Sequence, residues 1–131
     1  MNTITKLPIK LILLLFAFIL IGCNSSNKYV TKNTIVLVKY KAQPDKSIEA
    51  VAELTKLIEK VRQEPHFVNI RLHIDPNEKS NILLYEEWDD LSYYNSEHMN
   101  TAHLQDFIED SRNFLAGPPE ISLWKVESVF E

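Results

Sequence analysis

Apolar and polar positions fall into short periodic blocks from Thr34 onward. Thr34 to Lys41 is rich in β-branched residues, Ile35, Val36 and Val38, and reads as a strand. Pro44-Asp45 breaks it. Ile48, Val51, Ala52, Thr55, Ile58 and Val61 then recur at three- and four-residue steps, with Leu54 and Leu57 widening the stripe. That spacing predicts an amphipathic helix to about Gln63, whose outer face carries the solvated charges Glu49, Glu53, Lys56, Glu59 and Lys60. Glu64-Pro65-His66 ends it. Phe67 to Ile74 alternates, with Val68, Ile70, Leu72 and Ile74 on one face and Asn69, Arg71 and His73 on the other.

Asp75-Pro76-Asn77-Glu78 is a turn into a third strand, Asn81 to Trp88, whose run Ile82-Leu83-Leu84-Tyr85 suggests burial on both faces. Asp90 or Ser92 is placed to cap a short helix, and Asn100 or Thr101 a longer one with Leu104, Phe107, Ile108 and Leu115 inside. Gly117-Pro118-Pro119 stops that helix. Ile121 to Phe130 is the last strand, with Ile121 and Leu123 on one face and Trp124 and Phe130 on the other. The order β-α-β-β-α-β is the α+β, ferredoxin-like split arrangement with an antiparallel sheet. Its two helical segments cover one sheet face. Strands one, three and four carry apolar residues on both faces, so the second face needs a cover, and a homodimer formed sheet to sheet supplies it.

Before this domain, 34–131, the chain has a different character. Lys6 and Lys10 precede an apolar run from Leu11 to Ile21, short for a bilayer span and suited to the core of a signal peptide. Leu20-Ile21-Gly22-Cys23 resembles a bacterial lipoprotein box, in which the chain is cut before a lipidated cysteine. Residues 1–22 are therefore expected to be a lipoprotein signal peptide, Cys23 the lipidation site, and 23–33 a polar tether. This places the domain in the bacterial cell envelope, exported and held at the membrane through acyl chains on Cys23. Cleavage takes Lys+Arg from 14 to 12 against 18 acids, and the formal charge from −4 to −6. Such a chain is a poor partner for nucleic acid, whose phosphates need net or clustered positive charge. With Cys23 lipidated, no thiol remains for a disulfide, a zinc site or a cysteine nucleophile. The two glycines, Gly22 and Gly117, make no phosphate-binding loop. His98 and His103, five residues apart, would be turned about 140° from one another on one helix, off the shared face a metal needs.

The chemistry gathers between strand three and the second long helix. Glu86-x-Trp88, then His98 on a short helix, then Thr101-Ala102-His103-Leu104 through to Phe107 resembles the antibiotic biosynthesis monooxygenase (ABM) family. In that family a strand ends in Glu-x-Trp, a small helix carries a His, and a Thr/Ser-Pro-His-Phe-like step opens the next helix. Here the Pro and Phe of that step are absent, and Trp88 to His98 is about one residue longer. The resemblance implies a dimeric α+β barrel and oxygenation of a quinol or similar small aromatic by molecular oxygen, with no metal or flavin cofactor. An electron-rich aromatic anion reduces oxygen itself, so the protein has to stabilise the anion and keep water out. His98 is the candidate proton acceptor and Trp88 the ring that stacks on substrate and dries the pocket. Tyr94, His103 and Asn69 are candidate substrate-binding residues. His103 opens a helix, where the positive helix end favours a neutral imidazole. The pocket is expected between the sheet and the two-part helix.

Plainer roles stand beside these. Trp88 also suits a core plug, His98 a surface or capping residue, and Tyr94 packing. Asn69, Arg71 and His73 suit solvent or a dimer barrel equally well. Two other functions fit the same scaffold: haem binding or degradation, with a His as axial ligand and a Trp at the ring, and a non-catalytic domain that binds a small molecule or only dimerises. The lipid assignment is tested directly by expressing the whole chain in a bacterium beside Cys23→Ser. Wild type is expected in the membrane fraction and the variant released from it; a variant that stays as firmly bound as wild type defeats the lipid assignment.

Overall fold

A computed structural model describes residues 32–130, so Cys23 and the signal segment lie outside the described residues. Four strands, β1 (Thr34–Lys41), β2 (Phe67–Ile74), β3 (Asn81–Trp88) and β4 (Glu120–Lys125), form one antiparallel sheet in the order β2-β3-β1-β4. Helix α1 (Ser47–Val61), short α2 (Leu91–Asn95) and α3 (Ala102–Asp110) complete the predicted β-α-β-β-α-β order. A 3₁₀ turn, His98–Asn100, joins α2 to α3, and another, Ser111–Asn113, follows α3. This is the α+β ferredoxin-like fold.

The core lies between one sheet face and the helices. From the sheet come Val36, Val38, Tyr40, Ile82, Leu84 and Trp88; from the helices come Ala50, Leu54, Leu57, Val61, Leu104 and Phe107. Strand β3 therefore alternates rather than burying both faces: Ile82, Leu84, Glu86 and Trp88 are buried, while Leu83, Tyr85 and Glu87 are half-exposed on the other side. Helix α1 is turned roughly a hundred degrees from the stripe its sequence suggests. Leu54 and Leu57 are central, Val51 and Ile58 flank them, and Ile48 is 88% exposed. Leu54 and Leu57 share a face with Ala50 and Val61, and the small Ala50 lets the helix sit close on the sheet.

Strand β2 departs from simple alternation. Its register with β3 shifts between Phe67 and Asn69, so Phe67 pairs with Trp88 and Asn69 with Glu87. Val68 is the extra residue and is exposed, while Phe67 meets the Trp88 ring edge-on at 6.1 Å. The last strand ends at Lys125, short of Phe130, which is itself exposed. Pairing of Val38 with Ile121 and Val36 with Leu123 keeps both β4 residues on the helix side. They stay exposed because β4 is an edge strand. On the opposite face, Ile35 pairs with Trp124, Leu37 with Tyr85, and Arg71 lies over the Tyr85 ring at 5.5 Å. Among the described residues no helix is long and apolar enough to cross a membrane.

Candidate active site

Asp90 starts the segment that closes over the end of β3. Its Oδ1 accepts from the backbone N–H groups of Ser92 and Tyr93 at 2.8 and 3.1 Å, so Asp90 rather than Ser92 is the cap. The cap turns α2 back over Trp88 and delivers Tyr94 and His98 to it. The indole lies 5.4 Å from the Tyr94 ring and 4.7 Å from the His98 ring, and Tyr94 stacks on His98 at 5.0 Å. Thr101 occupies the N-cap position of α3, but its side chain caps no N–H there; its hydroxyl donates to the His98 carbonyl at 2.9 Å and closes the turn that holds the imidazole.

The residue that organises the cluster comes from elsewhere. Glu64 follows α1, and its side chain is 6% exposed. Its carboxylate accepts from His98 Nδ1 at 2.9 and 3.2 Å, from His103 Nε2 at 2.5 Å and from the Tyr93 hydroxyl at 3.1 Å. The connection carrying Glu64 is pinned at its far end. His66 has φ of 68°, a left-handed conformation costly for a β-carbon, and holds Asp89 twice: its carbonyl takes the Asp89 N–H at 3.1 Å and its Nδ1 sits 2.7 Å from Asp89 Oδ1. The His66 ring also packs against Tyr93 at 5.1 Å.

A carboxylate only accepts hydrogen bonds, so His98 carries its hydrogen on Nδ1 and presents the lone pair of Nε2. Among the described residues Nε2 has no protein partner, yet no sealed polar side-chain atom lacks one; Nε2 is therefore open to the space that His98 lines. That space is a cavity of about 680 Å³. Its floor is Val38, Leu84, Tyr40, Tyr94, Glu86 and His98, all buried, and its rim is the exposed Ile108, Arg112 and Ile121. Burial lowers the His98 pKa below the ordinary imidazole range, against the Glu64 carboxylate, which raises it. A neutral imidazole results at neutral pH.

Glu86, also on the floor, moves the other way. Burial pushes its carboxyl up to about 7, the hydrogen bond from Trp88 Nε1 at 3.0 Å opposes that, and the charge of Glu64 adds to it. Burial likewise raises the Tyr40 and Tyr94 phenols, so both stay protonated and available as donors. The sequence-predicted residues thus divide. His98 and Tyr94 line the cavity. Trp88, fully buried, stands behind them and supports them without lining it. His103 holds Glu64 rather than the cavity. Asn69 is not brought to the site: it pairs across from Glu87, on the sheet face turned away from the helices, where strand alternation with Ile70 puts it. Sequence reasoning missed Glu64, Glu86, Tyr40 and Tyr93. Among the described residues no group of three or more His, Cys, Asp or Glu is arranged to hold a metal ion.

The fold and the Trp–His–Glu cluster over an apolar cavity define a small ferredoxin-like domain built around a pocket for a small molecule. The chain belongs to the antibiotic biosynthesis monooxygenase family, whose sequence profile matches residues 34–110. An uncharacterised protein of Synechocystis sp. is 30% identical over 92 residues, which are 70% of this chain. The chain spans about 62% of that relative's length. A crystal structure of a Pseudomonas aeruginosa protein superposes with a TM-score of 0.68 at 20% identity, over 76% of this chain and 99% of the other. A solved antibiotic biosynthesis monooxygenase superposes at 0.63 with 21% identity, over 73% of this chain and 98% of its own.

The raised Glu86 carboxyl makes stability depend on pH. Its folded pKa of about 7 stands above the ordinary carboxyl value of 4.5 that holds for the unfolded chain. The folded state therefore holds a proton that the unfolded state has released, and this contribution is full below the unfolded value and lost as pH rises through the folded one. The loss is about 3 kcal/mol across that window. Glu86→Gln does not titrate. Urea unfolding at about pH 5 and about pH 8 should show wild type losing stability relative to Glu86→Gln as pH rises; parallel curves would mean that Glu86 ionises normally in the fold.

Proposed function

We propose that this chain is a cofactor-independent monooxygenase that oxidises a quinol or similar small aromatic with molecular oxygen. The observation that carries it is the open Nε2 of a neutral His98 on the floor of an apolar cavity, its tautomer set by Glu64. A ring hydroxyl placed against Nε2 gives up its proton to the imidazole. The resulting imidazolium keeps its Nδ1–H on Glu64, whose charge stabilises it, an arrangement like that of other carboxylate-oriented histidine bases. The phenolate that remains is electron-rich and reduces oxygen directly, which calls for no metal, flavin or haem. Leu84, Leu57, Leu104 and Phe107 wall the cavity and exclude the water that would otherwise quench a reactive oxygen species.

The reading extends to the assembly. Among the described residues no helix covers the sheet face that carries Leu37, Tyr85 and the exposed Trp124, and a second copy packed sheet to sheet would bury it as a homodimeric barrel. Lipid on Cys23 would hold that dimer at the membrane of the cell envelope, where quinols dissolve.

Oxygen uptake over a panel of hydroquinones tests the chemistry. On a true substrate His98→Ala should lower kcat about 10²–10⁴-fold, and the acid-side fall of the wild-type rate should lie below the ordinary imidazole range, because the His98 pKa is lowered. Undiminished turnover by His98→Ala removes it from the mechanism. A stoichiometric haemin Soret band lost in His98→Ala would replace this reading with haem binding. Light scattering on residues 24–131 is expected to give a dimer at micromolar concentration, and a clean monomer would rule out the sheet-to-sheet assembly.

A further inference from the structure

Removing a proton from a ring hydroxyl leaves a buried carboxyl of the cavity unused. Glu86 is 6% exposed and lines the floor. Its Oε2 accepts from Trp88 Nε1 at 3.0 Å. Oε1 has no protein partner among the described residues, and it is not sealed in, since no buried side-chain oxygen or nitrogen lacks a hydrogen bond; it faces the cavity. The groups around it are Tyr40 from β1, Tyr94 from α2, His98 from the following turn and Glu64 from beyond α1, while β2 presents the apolar Ile70 across from it. Arg112 stands at the exposed rim. Among the described residues Glu86 belongs to no ion pair. A buried carboxyl with no cation against it keeps its proton.

We propose that Glu86 serves the cavity as a neutral carboxylic acid, donating a hydrogen bond to an oxygen of the bound ring and giving its proton to the peroxide formed there. The proposal rests on the monooxygenase reading. The proton traffic balances over one turnover of a hydroquinone. His98 Nε2 takes a hydroxyl proton. The phenolate passes an electron to oxygen, and recombination at the adjacent ring carbon gives a carbon–peroxide anion. Glu86 protonates that anion to a hydroperoxide. The Glu86 carboxylate then takes the proton from the same carbon; the O–O bond breaks, a carbonyl forms, and the departing hydroxide takes the proton held by His98. The products are one hydroxyquinone and one water from one hydroquinone and one O₂, with both residues restored. The ring is oxidised and oxygen is reduced.

The arrangement selects its ligand by chemistry. Nε2 of His98 only accepts, Glu86 donates, and the Tyr40 and Tyr94 hydroxyls do either. An uncharged ring bearing a hydroxyl and a second oxygen satisfies all of them. An aromatic carboxylate meets no cation on the floor and would carry its own charge, uncompensated, into the apolar cavity.

The test uses full-length protein in detergent with 1,4-dihydroxynaphthalene as the probe and 2-naphthoate as its anionic counterpart. Infrared spectra should show a protonated-carboxyl band at about pH 6 that is absent from Glu86→Gln and fades as pH rises through about 7. Under argon, wild type should bind dihydroxynaphthalene about ten-fold more weakly at about pH 8 than at about pH 6, as one donated bond is lost. Glu86→Gln keeps a donor and should bind equally at both. Naphthoate should bind wild type at least about ten-fold more weakly than dihydroxynaphthalene. In air, Glu86→Gln should consume oxygen about 100-fold more slowly, because an amide has no proton to give. A band already lost at about pH 5, wild-type turnover in Glu86→Gln, or naphthoate bound as tightly as the diol overturns the proposal. If the diol binds with this Glu86-dependent profile but no oxygen is consumed, the oxidation fails and the donor role stands. A wild type that does not bind the diol at all overturns the donor role too.

Discussion

One buried carboxylate, Glu64, ties the helical half of the molecule together. A carboxylate placed among side chains with so little water costs several kcal/mol unless it is fully hydrogen-bonded. Here three donors meet it, and they come from three places: Tyr93 on α2, His98 on the turn that follows, and His103 on the first turn of α3. The broken helix after β3 is therefore anchored to the end of α1 by chemistry as well as by packing. Each of those donors would be orphaned by loss of the acid, which makes the position of the segment and the tautomer of His98 consequences of the same interaction. The His66–Asp89 contact performs the complementary task on the backbone, fixing the connection from which Glu64 projects.

Trp88 is the second fixed point. A fully buried indole normally finds a partner for its N–H, and this one finds the Glu86 carboxyl, two residues back on the same strand and on the same face. The ring also packs, tilted, against His98 and edge-on against Tyr94. The indole thus bonds the acid through its N–H and packs on the imidazole with its ring, fixing both, while the surface the cavity presents is left to smaller groups. A large aromatic expected to meet a ligand instead supports the residues that do, and truncating it would disturb both at once.

Much of this was legible along the chain. The order of elements and the Trp88–Tyr94–His98 grouping follow from local patterns, because caps, turns and alternation act within a few residues; α3, by contrast, ends at Asp110, short of the Gly117-Pro118-Pro119 expected to stop it. Glu64 was not legible: it lies in a polar turn that reads as punctuation, and its partners are 29 to 39 residues away. Glu86 did leave a signal. It shares strand parity with Ile82, Leu84 and Trp88, the buried set, so an acid there had to be buried as well. The rotation of α1 was missed because two overlapping apolar stripes run along it, and only contact with the sheet chooses Leu54 and Leu57 over Ile48. The β2 bulge has no local marker; its effect is to put Phe67, rather than Val68, on the face of Ile70 and against the Trp88 ring.

The cavity also shows how one physical cause yields two opposite groups. Burial disfavours whichever form carries charge, without regard to sign. It therefore lowers the His98 pKa and raises that of Glu86 in the same space. In water the carboxyl would be the ionised base and the imidazole would be partly protonated near neutrality. Inside, the imidazole is the neutral acceptor and the carboxyl retains its proton to about pH 7. What separates them is their partners. His98 rests on an acid that stabilises its cation as soon as one forms, whereas Glu86 rests on an indole N–H that only partly offsets the loss of water. An acceptor and a donor side by side at neutral pH are what acid–base chemistry on a ring oxygen requires, and here they arise from a few residues of opposite charge type placed under one apolar roof.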